Sequence, residues 1–494
     1  MKGKILMKKV ISILTVTFLL FTFMPMISNA LVVDDWEIAI SNGEATIIGY
    51  HGDQRKKIVV PANVGNYNVV AIDGKKLFAE PVEEIVFSEG IRKISGDPFS
   101  YNLRYSLKKV VLPESLETLD VSFQGYEKLE KINIPSKITE IKHSQFALCS
   151  NLEYIQLNEG LKKIGSTAFM RSGLKELILP STVSEIGERA YAECHSLVNV
   201  IIPDTVTIMG KNEGILMLCE NLETVVVGDG VSILSRQEFW GCPNLKSVYL
   251  GNSITTIRNG VLSDCTSLKT LVLPNNVETI DYDFCPECIS LESVIFPKEI
   301  KKITAYNCTL KTRTGFNASE MRKPLPKLFL YGYSDSTTET FSNNEGFPFV
   351  DISVATPTNS KVLINGKEVA FTAYNIGGNN YFKLRDIASA INGTNKNFNV
   401  GWDGNNNAIT LTSNSAYSNV GGELVVNSNA VATEPKISNP KIFVDGKLTI
   451  FMAFNIDGNN YIKLRDLGEA FNFGVEWNGT TQTIEINTNK GYSK

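Results

Sequence analysis

Apolar positions along residues 107–291 repeat as a unit of 22 to 25 residues. Each unit opens with a leucine, continues with alternating apolar positions that end in most units at a proline, and closes with an aromatic residue and usually a cysteine. The leading leucines are Leu107, Leu129, Leu152, Leu174, Leu197, Leu222, Leu245, Leu268 and Leu291. A fixed period of this length predicts a solenoid, in which each coil buries its apolar face only against its neighbours.

The unit that starts at Leu174 shows how one coil is built. Leu177 and Leu179 are two residues apart, so they share one face of a strand. Pro180 ends that strand because proline has no N–H to donate to a ladder. Val183 begins the return, and a turn or short helical segment follows. We therefore predict a mainly β leucine-rich repeat solenoid with short helical turns.

Both ends of the solenoid depart from the repeat, as expected for caps that shield an open core. Residues 31–106 resemble degenerate repeats. After Leu291 the period fails, and a last strand near Leu328, a helix from Asp335 to Phe341 and a closing segment near Phe349 predict a C-terminal cap. The solenoid is expected to occupy residues 31–353, with residues 354–360 as a linker.

The tail carries a second, different repeat. Phe371–Asp386 recurs as Phe451–Asp466, and 12 of the 16 positions are identical. Each copy reads as hairpin, strand, short helix and hairpin. The turns are signalled by Asn365-Gly366 and Asp445-Gly446. These patterns predict a small duplicated α+β domain over residues 361–488, with copies at 361–413 and 441–488.

The first 30 residues carry a basic start, an apolar run from Val10 to Phe23, and the small-residue pattern Ser28-Asn29-Ala30. This combination predicts a secretory signal peptide; the alternative is a single membrane anchor. No other apolar run reaches the ~18 residues that a spanning helix needs, so no transmembrane segment is expected after cleavage. Cleavage would remove four lysines and no acidic residue, changing the net charge from −4 to −8. An acidic chain without a basic stripe is a poor match for nucleic acid.

Two sets of motifs resemble known families. Leu152-Glu-Tyr-Ile-Gln-Leu157, followed by Leu161-Lys-Lys-Ile-Gly165, resembles the BspA-type leucine-rich repeat of bacterial surface and secreted proteins. Tyr381–Asp386 and Tyr461–Asp466 resemble the copper amine oxidase N-terminal-like domain, or stalk domain, of secreted Gram-positive proteins. The resemblances imply adhesion or partner recognition for the repeats, and display or wall association for the tail.

The sequence contains no Gly-x-Ser-x-Gly nucleophile elbow of a hydrolase, no His-Glu-x-x-His motif of a zinc protease and no glycine-rich phosphate-binding loop. The only histidines are His51, His143 and His195, and none lies in the tail. We therefore expect no catalytic residues, no enzyme activity, no bound copper or other metal, and no cofactor.

Six of the eight cysteines share one position of the repeat, which favours a packing role and buried thiols. Cys285-Pro-Glu-Cys288 resembles a zinc or redox motif, but it is the single such pair, so a metal is not expected there. The six cysteines are Cys149, Cys194, Cys219, Cys242, Cys265 and Cys288.

An apolar row is predicted to point outward from the strands. Its members lie between the inward positions of successive repeats: Ile178, Ile201, Val226, Tyr249, Val272 and Ile295. One interpretation is a protein-binding surface, because contiguous exposed apolar patches usually mark interaction sites. The alternatives are that β-branched residues simply suit strand ladders, or that a helical side of the coil covers the row.

Each tail copy carries a polar motif and a tryptophan at equivalent places. The motif residues are Tyr381, Lys383, Arg385, Asp386, Tyr461, Lys463, Arg465 and Asp466. We expect a structural role, with the aspartates capping the following helices and the arginines in ion pairs; ligand binding is the alternative. Trp402 and Trp477 are expected in the core, with carbohydrate stacking as the alternative.

Together these patterns predict a secreted, possibly cell-wall-associated, non-enzymatic binding protein. Its repeats would recognise a host or matrix protein, with the tail as a display or wall-association module. The alternatives are a wall-associated structural or glycan-binding protein whose tail binds a cell-wall polymer, and an accessory subunit of a secreted enzyme.

Overall fold

The computed structural model describes residues 30–304, 311–312, 323–325 and 327–493. The predicted signal peptide, apart from Ala30, and Cys308 lie outside the described residues. The chain divides into two compact units, one ending at Val121 and the other beginning at Ser122.

The first unit starts with antiparallel strands and continues with parallel ones. Ala30–Val33, Trp36–Ser41 and Glu44–Tyr50 pair antiparallel. Glu44–Tyr50 then pairs in parallel with Tyr67–Phe78, where the coils begin to stack. A 3-10 helix spans Tyr101–Tyr105. The remaining strands are Lys57–Val60, Asn63–Val64, Glu84–Phe87, Lys93–Phe99, Lys109–Val111 and Thr118–Leu119.

The repeats of the second unit contribute two rows of short parallel strands. The first strand row contains Lys131–Ile132, Glu176–Ile178, Asn199–Ile202, Thr224–Val227, Ser247–Tyr249, Thr270–Val272 and Ser293–Ile295. The second strand row contains Glu140–Ile141, Lys163–Ile164, Glu185–Ile186, Ile208–Met209, Ile233–Leu234, Thr256–Ile257, Thr279–Ile280 and Lys302–Ile303. In the first row Ile178 pairs with Ile201 and Ile201 with Val226, so equivalent residues of successive repeats lie side by side.

A ladder of aromatic rings fills the interior of the first coils of this unit. Phe123, Phe146, Phe169 and Tyr191 occupy the same position of successive repeats and are fully buried. Their ring centroids are 5.5, 5.4 and 5.3 Å apart, and the rings are stacked nearly parallel. The spacing follows from the distance between neighbouring parallel strands, because each coil adds one ring per strand step.

The repeats end in a cap formed by two parallel strands and the helix that connects them. Phe329–Gly332 and Phe349–Asp351 pair in parallel, and helix α1, Thr337–Glu345, connects them. Ser336 accepts a hydrogen bond from the Glu339 backbone N–H at the start of α1, and Gly346 ends the helix with φ of 76°. The predicted last strand and closing segment are present, and the helix predicted from Asp335 to Phe341 begins two residues later and ends four residues later than expected. Two further strands, Lys311–Thr312 and Lys323–Pro324, pair antiparallel.

The tail is a sheet-rich domain with two short helices, α2 (Leu384–Ala390) and α3 (Leu464–Phe471). Its first-copy strands are Lys361–Ile364, Lys367–Glu368, Ala373–Ile376, Asn379–Lys383, Phe398–Asp403 and Ala408–Ser413. Its later strands are Lys436–Ser438, Ile442–Val444, Lys447–Leu448, Ala453–Ile456, Asn459–Lys463, Gly474–Asn478 and Thr483–Asn487. The predicted fold class, a mainly β solenoid followed by a small duplicated α+β domain, is confirmed.

The two tail copies are interlocked. Strand Lys361–Ile364 of the first copy pairs with Thr483–Asn487 of the second. Strand Ala408–Ser413 of the first copy pairs with Ile442–Val444 of the second. Both copies also share one apolar core, in which Phe398 stacks on Phe471 with centroids 3.9 Å apart. Each copy therefore completes the sheets of the other. Thr356–Pro357, in the segment predicted as a linker, is also a strand of this domain.

Candidate binding surfaces

The predicted outward row is exposed at one end and covered at the other. Ile178 is 66% exposed and Ile201 39% exposed. The remaining four members, Val226, Tyr249, Val272 and Ile295, are at most 3% exposed. For these four the expectation of an exposed surface is wrong.

The tail, rather than a helical side of the coil, covers these four residues. Val226 and Tyr249 pack in one apolar cluster with Leu448 of the tail. Val272 and Ile295 belong to a larger cluster that contains tail residues from both copies and from the segment between them, which are Tyr374, Ile376, Tyr381, Ile437, Met452, Phe454, Ile456 and Tyr461. The row is therefore an interface within the chain along four successive repeats.

Polar contacts surround this apolar interface. The Lys298 ammonium lies 2.7 Å from a carboxylate oxygen of Glu434. The Asn275 side-chain amide donates to the Ile437 carbonyl at 2.9 Å, and Asn439 donates to the Leu250 carbonyl at 2.9 Å. Such directional bonds at the rim fix the position of two packed apolar faces.

Lys441 of the tail closes one edge of the interface. Its ammonium is buried, lies 5.3 Å from the ring centroid of Tyr249, and donates to the Asn406 carbonyl at 3.0 Å. It also lies 3.8 Å from a carboxylate oxygen of Asp204. A buried ammonium is stable only where acceptors and an aromatic face replace its water.

The part of the first strand row that the tail does not cover forms an open face. Ile178 and Ile201 lie side by side on paired strands, with Glu176 beside Asn199 in the same register. Tyr154, in the preceding repeat, is 53% exposed. We call these five residues the open face. It combines two β-branched apolar side chains with an aromatic and two polar ones.

The tail motif is built into the domain. Tyr381 and Tyr461 are buried, and the Tyr381 hydroxyl lies 2.7 Å from the Met452 sulfur. Asp386 accepts a hydrogen bond from the Leu424 backbone N–H at 3.0 Å, and Asp466 accepts one from the Met452 backbone N–H at 3.2 Å. These contacts hold neighbouring backbone segments in place.

Two details of the expected role are wrong. The N-cap residues of α2 and α3 are Lys383 and Lys463, whose side chains make no cap bond. Asp386 lies three residues after the cap, so its carboxylate reaches a distant loop instead. Arg385 donates to the Tyr417 hydroxyl at 3.3 Å, rather than to a carboxylate.

The two tail tryptophans are on the surface. Trp402 is 62% exposed and Trp477 49% exposed, so the expectation of a core position is wrong. Each lies on a closing hairpin, opposite Ile409 and Ile484 respectively. Their equivalent places in the two copies suggested the core. Trp402 does share a strand face with Phe398 and Val400, which are buried in the tail core, but it lies two residues further along, where the core has ended.

Two family models match two separate parts of the chain. Residues 71–198 and 185–311 match the BspA type leucine rich repeat region in six copies, and residues 363–486 match the copper amine oxidase N-terminal domain. The chain carries BspA-type repeats and a copper amine oxidase N-terminal domain. Both resemblances expected from the motifs are confirmed. No curated protein matches the sequence.

Several solved leucine-rich repeat structures are similar to the chain at low identity. A leucine-rich repeat protein from Bacteroides ovatus has 23% identity and a TM-score of 0.43, covering 61% of this chain and 70% of that one. A leucine rich cell surface protein from Faecalibacterium prausnitzii has 21% identity and a TM-score of 0.32, covering 56% and 90%. The pneumococcal vaccine antigen PcpA has 16% identity and a TM-score of 0.34, covering 66% and 99%.

The repeat cysteines lie inside the BspA-type coils. Cys149, Cys194, Cys219, Cys242 and Cys265 are free and buried. Each sulfur contacts a backbone carbonyl of the preceding coil, for example Cys149 with Phe123 at 3.1 Å. Burial raises the pKa of the Cys149 thiol to about 12, so the nucleophilic thiolate is disfavoured. Cys288 differs, because it forms a disulfide with Cys285. The expectation of a free thiol at Cys288 is wrong.

Candidate metal ligands are dispersed. Over residues 30–304, 311–312, 323–325 and 327–493, no group of three or more His, Cys, Asp or Glu side chains is arranged to hold a metal ion. His51, for example, is exposed, and its Nε2 atom lies 3.2 Å from a single carboxylate oxygen, that of Glu37. Within the same described residues, no helix has the length and apolar character needed to cross a membrane.

One buried carboxyl group of the repeats gives a pH prediction. Glu238 is fully buried, and one of its oxygens accepts from the Ile215 backbone N–H at 2.7 Å. Desolvation by burial raises the pKa of Glu238 from 4.5 to about 8. The folded state therefore binds the proton more tightly than the unfolded state, and stability falls as pH rises from about 4.5 through 8.

We expect Glu238→Gln to remove this pH dependence, because the amide keeps the acceptor for Ile215 and carries no charge. At pH 8 the variant should be more stable by on the order of 2–4 kcal/mol, and at pH 5 the two proteins should be similar. Thermal unfolding of both proteins from pH 5 to 9 measures the difference. Glu220→Gln, at an exposed position, is the control. Parallel curves for wild type and Glu238→Gln would contradict the assignment.

Proposed function

We propose that the chain is a secreted or surface-displayed bacterial binding protein whose BspA-type repeats contact a host or matrix protein through the open face. The observation that carries the proposal is the exposure of Ile178, which is 66% accessible on the part of the first strand row that the tail leaves uncovered. An exposed β-branched row beside an aromatic side chain is the composition of a protein contact.

The covered part of the same row supports this assignment. Over Val226, Tyr249, Val272 and Ile295 the row already binds a protein surface, namely the tail. The open face continues that row without a change of side-chain type at Ile178 and Ile201. A partner docked there would extend an interface that the chain itself forms, with the copper amine oxidase N-terminal domain as its neighbour.

Secretion is supported by the sequence of residues 1–30, which has the pattern of a signal peptide. The two matched regions are a repeat array and a domain that is not catalytic. Both support the expectation that the chain has no enzyme activity. The tail packs over four repeats. It would leave the open face accessible to a partner, and its edge would set where that face ends.

The test replaces Ile178 and Ile201 together with lysine in the chain from residue 31 onward. Binding to immobilised fibronectin, laminin, fibrinogen and collagen is measured by biolayer interferometry. We expect wild type to bind at least one of them and the double variant to bind about tenfold more weakly or worse, because central apolar contacts each contribute ~1 kcal/mol or more.

The matched control is Ile208→Lys with Ile233→Lys. Ile208 and Ile233 are 47% and 40% exposed on the second strand row. The control therefore makes the same isoleucine-to-lysine change at exposed positions outside the open face. Control binding equal to wild type, with the open-face variant reduced, supports the proposal. Failure of wild type to bind any of the four proteins, or equal binding by the open-face variant, would overturn it.

A further inference from the structure

The interlocked tail places the same feature at two equivalent positions. Strand Asn379–Lys383 of the first copy pairs antiparallel with Asn459–Lys463 of the second, so the two copies run in opposite directions across the middle of one sheet. The surroundings of the start of α2, next to the closing hairpin of the first copy, are therefore repeated at the start of α3 in the second copy.

Two clefts occupy these equivalent places, with volumes of about 260 and 340 Å³. The first is lined by Lys383, Arg385 and Trp402 of one copy and by the Gly458-Asn459-Asn460 turn of the other. The second is lined by Lys463, Arg465 and Trp477 and by the Gly378-Asn379-Asn380 turn. Each cleft thus needs both copies, and the chain has it twice.

The tryptophans of the clefts differ from the others in the chain. Trp36 is buried, and the indole N–H of the partly buried Trp240 donates to Asp264 at 2.9 Å. Trp402 and Trp477 instead keep about half or more of their surface in water at matching positions. Large exposed indoles are costly to solubility, so their presence in both copies indicates a surface that is covered when a ligand binds.

The first cleft offers both hydrogen-bond donors and hydrogen-bond acceptors, and its basic and acidic side chains are equal in number. One carboxylate oxygen of Asp386 is buried and has no hydrogen-bond partner among the described residues. Glu423 accepts from the Tyr417 hydroxyl at 2.7 Å and from the Val420 backbone N–H. Lys383 and Arg385 line the same cleft, and Arg385 donates to the Tyr417 hydroxyl that in turn donates to Glu423. A phosphate polymer or nucleic acid would require an excess of basic groups, which this cleft lacks.

We propose that the twin clefts bind pyranose units of a glycan polymer. The flat apolar C–H face of a pyranose suits an exposed indole, and its hydroxyl groups suit the asparagine amides, the carboxylates and the guanidinium around it. A polymer of repeated sugar units also suits two equivalent sites on one domain, since simultaneous binding raises the avidity. This site lies on the tail, and the proposal does not depend on the protein contact at the open face.

The test uses the chain from residue 31 onward and three insoluble glycan probes: cellulose, chitin, and Gram-positive peptidoglycan sacculi stripped of teichoic acid. Sacculi that retain teichoic acid serve as a comparison preparation. Trp402→Ala, Trp477→Ala and the double variant are compared with wild type by co-sedimentation. We expect wild type to pellet with at least one probe, each single variant to bind more weakly, and the double variant to lose about tenfold or more, given ~1–1.5 kcal/mol per stacked ring.

Two controls separate binding from folding. Tyr282→Ala removes an exposed aromatic side chain from the repeats and should leave pelleting unchanged. The thermal midpoint of the double variant should match wild type, because both indoles are exposed. Quenching of tryptophan fluorescence by cellotetraose or chitotetraose, lost in the double variant, supports the same assignment in solution.

Three outcomes would overturn the glycan proposal: wild type pellets with none of the probes, the double variant pellets as well as wild type, or pelleting occurs only with sacculi that retain teichoic acid. The last result would assign wall binding to an anionic polymer. None of these outcomes bears on the open face, because the variants at Ile178 and Ile201 leave both clefts intact.

Discussion

Val272→Asp is expected to separate the tail from the repeats and to lower the free energy of unfolding by about 3–5 kcal/mol. Val272 is 2% exposed, within the apolar cluster formed with the tail. A carboxylate placed in this apolar cluster loses its water, and an uncompensated buried charge carries a penalty of ~3–5 kcal/mol. Release of the tail is the lowest-cost way for the chain to hydrate that charge.

Urea unfolding and limited proteolysis measure this effect. The variant should lose stability and be cleaved near residue 354, giving separate repeat and tail fragments, under conditions in which wild type stays intact. Ile178→Asp is the matched control, since it makes the same change in the same strand row at an exposed residue. The control should change stability by less than ~0.5 kcal/mol. Similar behaviour of the two variants would show that the tail does not cover Val272 in solution.

Phe169→Ala is expected to have a comparably large effect by a different mechanism. Phe169 is fully buried between Phe146 and Tyr191, with ring centroids 5.4 and 5.3 Å away. Removing the middle ring leaves a cavity that neighbouring coils cannot close, because their backbones are held by parallel strand pairing. The expected loss is ~3–5 kcal/mol, read from the urea midpoint of the chain from residue 31 onward.

Tyr191→Phe provides the control for the ladder. The Tyr191 hydroxyl is buried and has no hydrogen-bond partner among the described residues, so its removal keeps the ring and relieves a desolvated polar group. Stability should be unchanged or raised by ~1 kcal/mol. A large loss on Tyr191→Phe, or a small one on Phe169→Ala, would show that stacked rings do not carry the stability of these coils.

The corrections to the sequence-based expectations share a physical origin. Val226 and Ile178 occupy the same repeat position and have similar side chains, yet one is buried and the other exposed. The difference comes from Leu448, which is more than two hundred residues further along the chain. Trp402 shares a strand face with the buried Phe398 and Val400, but it lies at the end of that face, beyond the tail core that covers them. Cys288 sits in a repeat position used for free thiols, and its neighbour Cys285 converts it into a disulfide partner.

The sequence by itself determined everything that depends on short-range periodicity. The 22- to 25-residue period defines stacked coils, Pro180 and its equivalents end strands, the segment from Asp335 to Phe341 predicts a helix, and the repeated motif of the tail defines a duplicated domain. Each of these features follows from local backbone chemistry and from burial against the next repeat. The aromatic ladder follows as well, because residues one period apart must lie one strand step apart.

Only the tertiary structure decided which surfaces stay open. Packing of the tail on four repeats, the interlocking of its two copies, and the two tryptophan clefts all join segments that no period relates. Such contacts depend on complementary shape and on the total area buried, and neither quantity is encoded in the order of residues within one repeat. Consequently the sequence defined the scaffold, whereas the fold selected the open face and the clefts as its accessible surfaces.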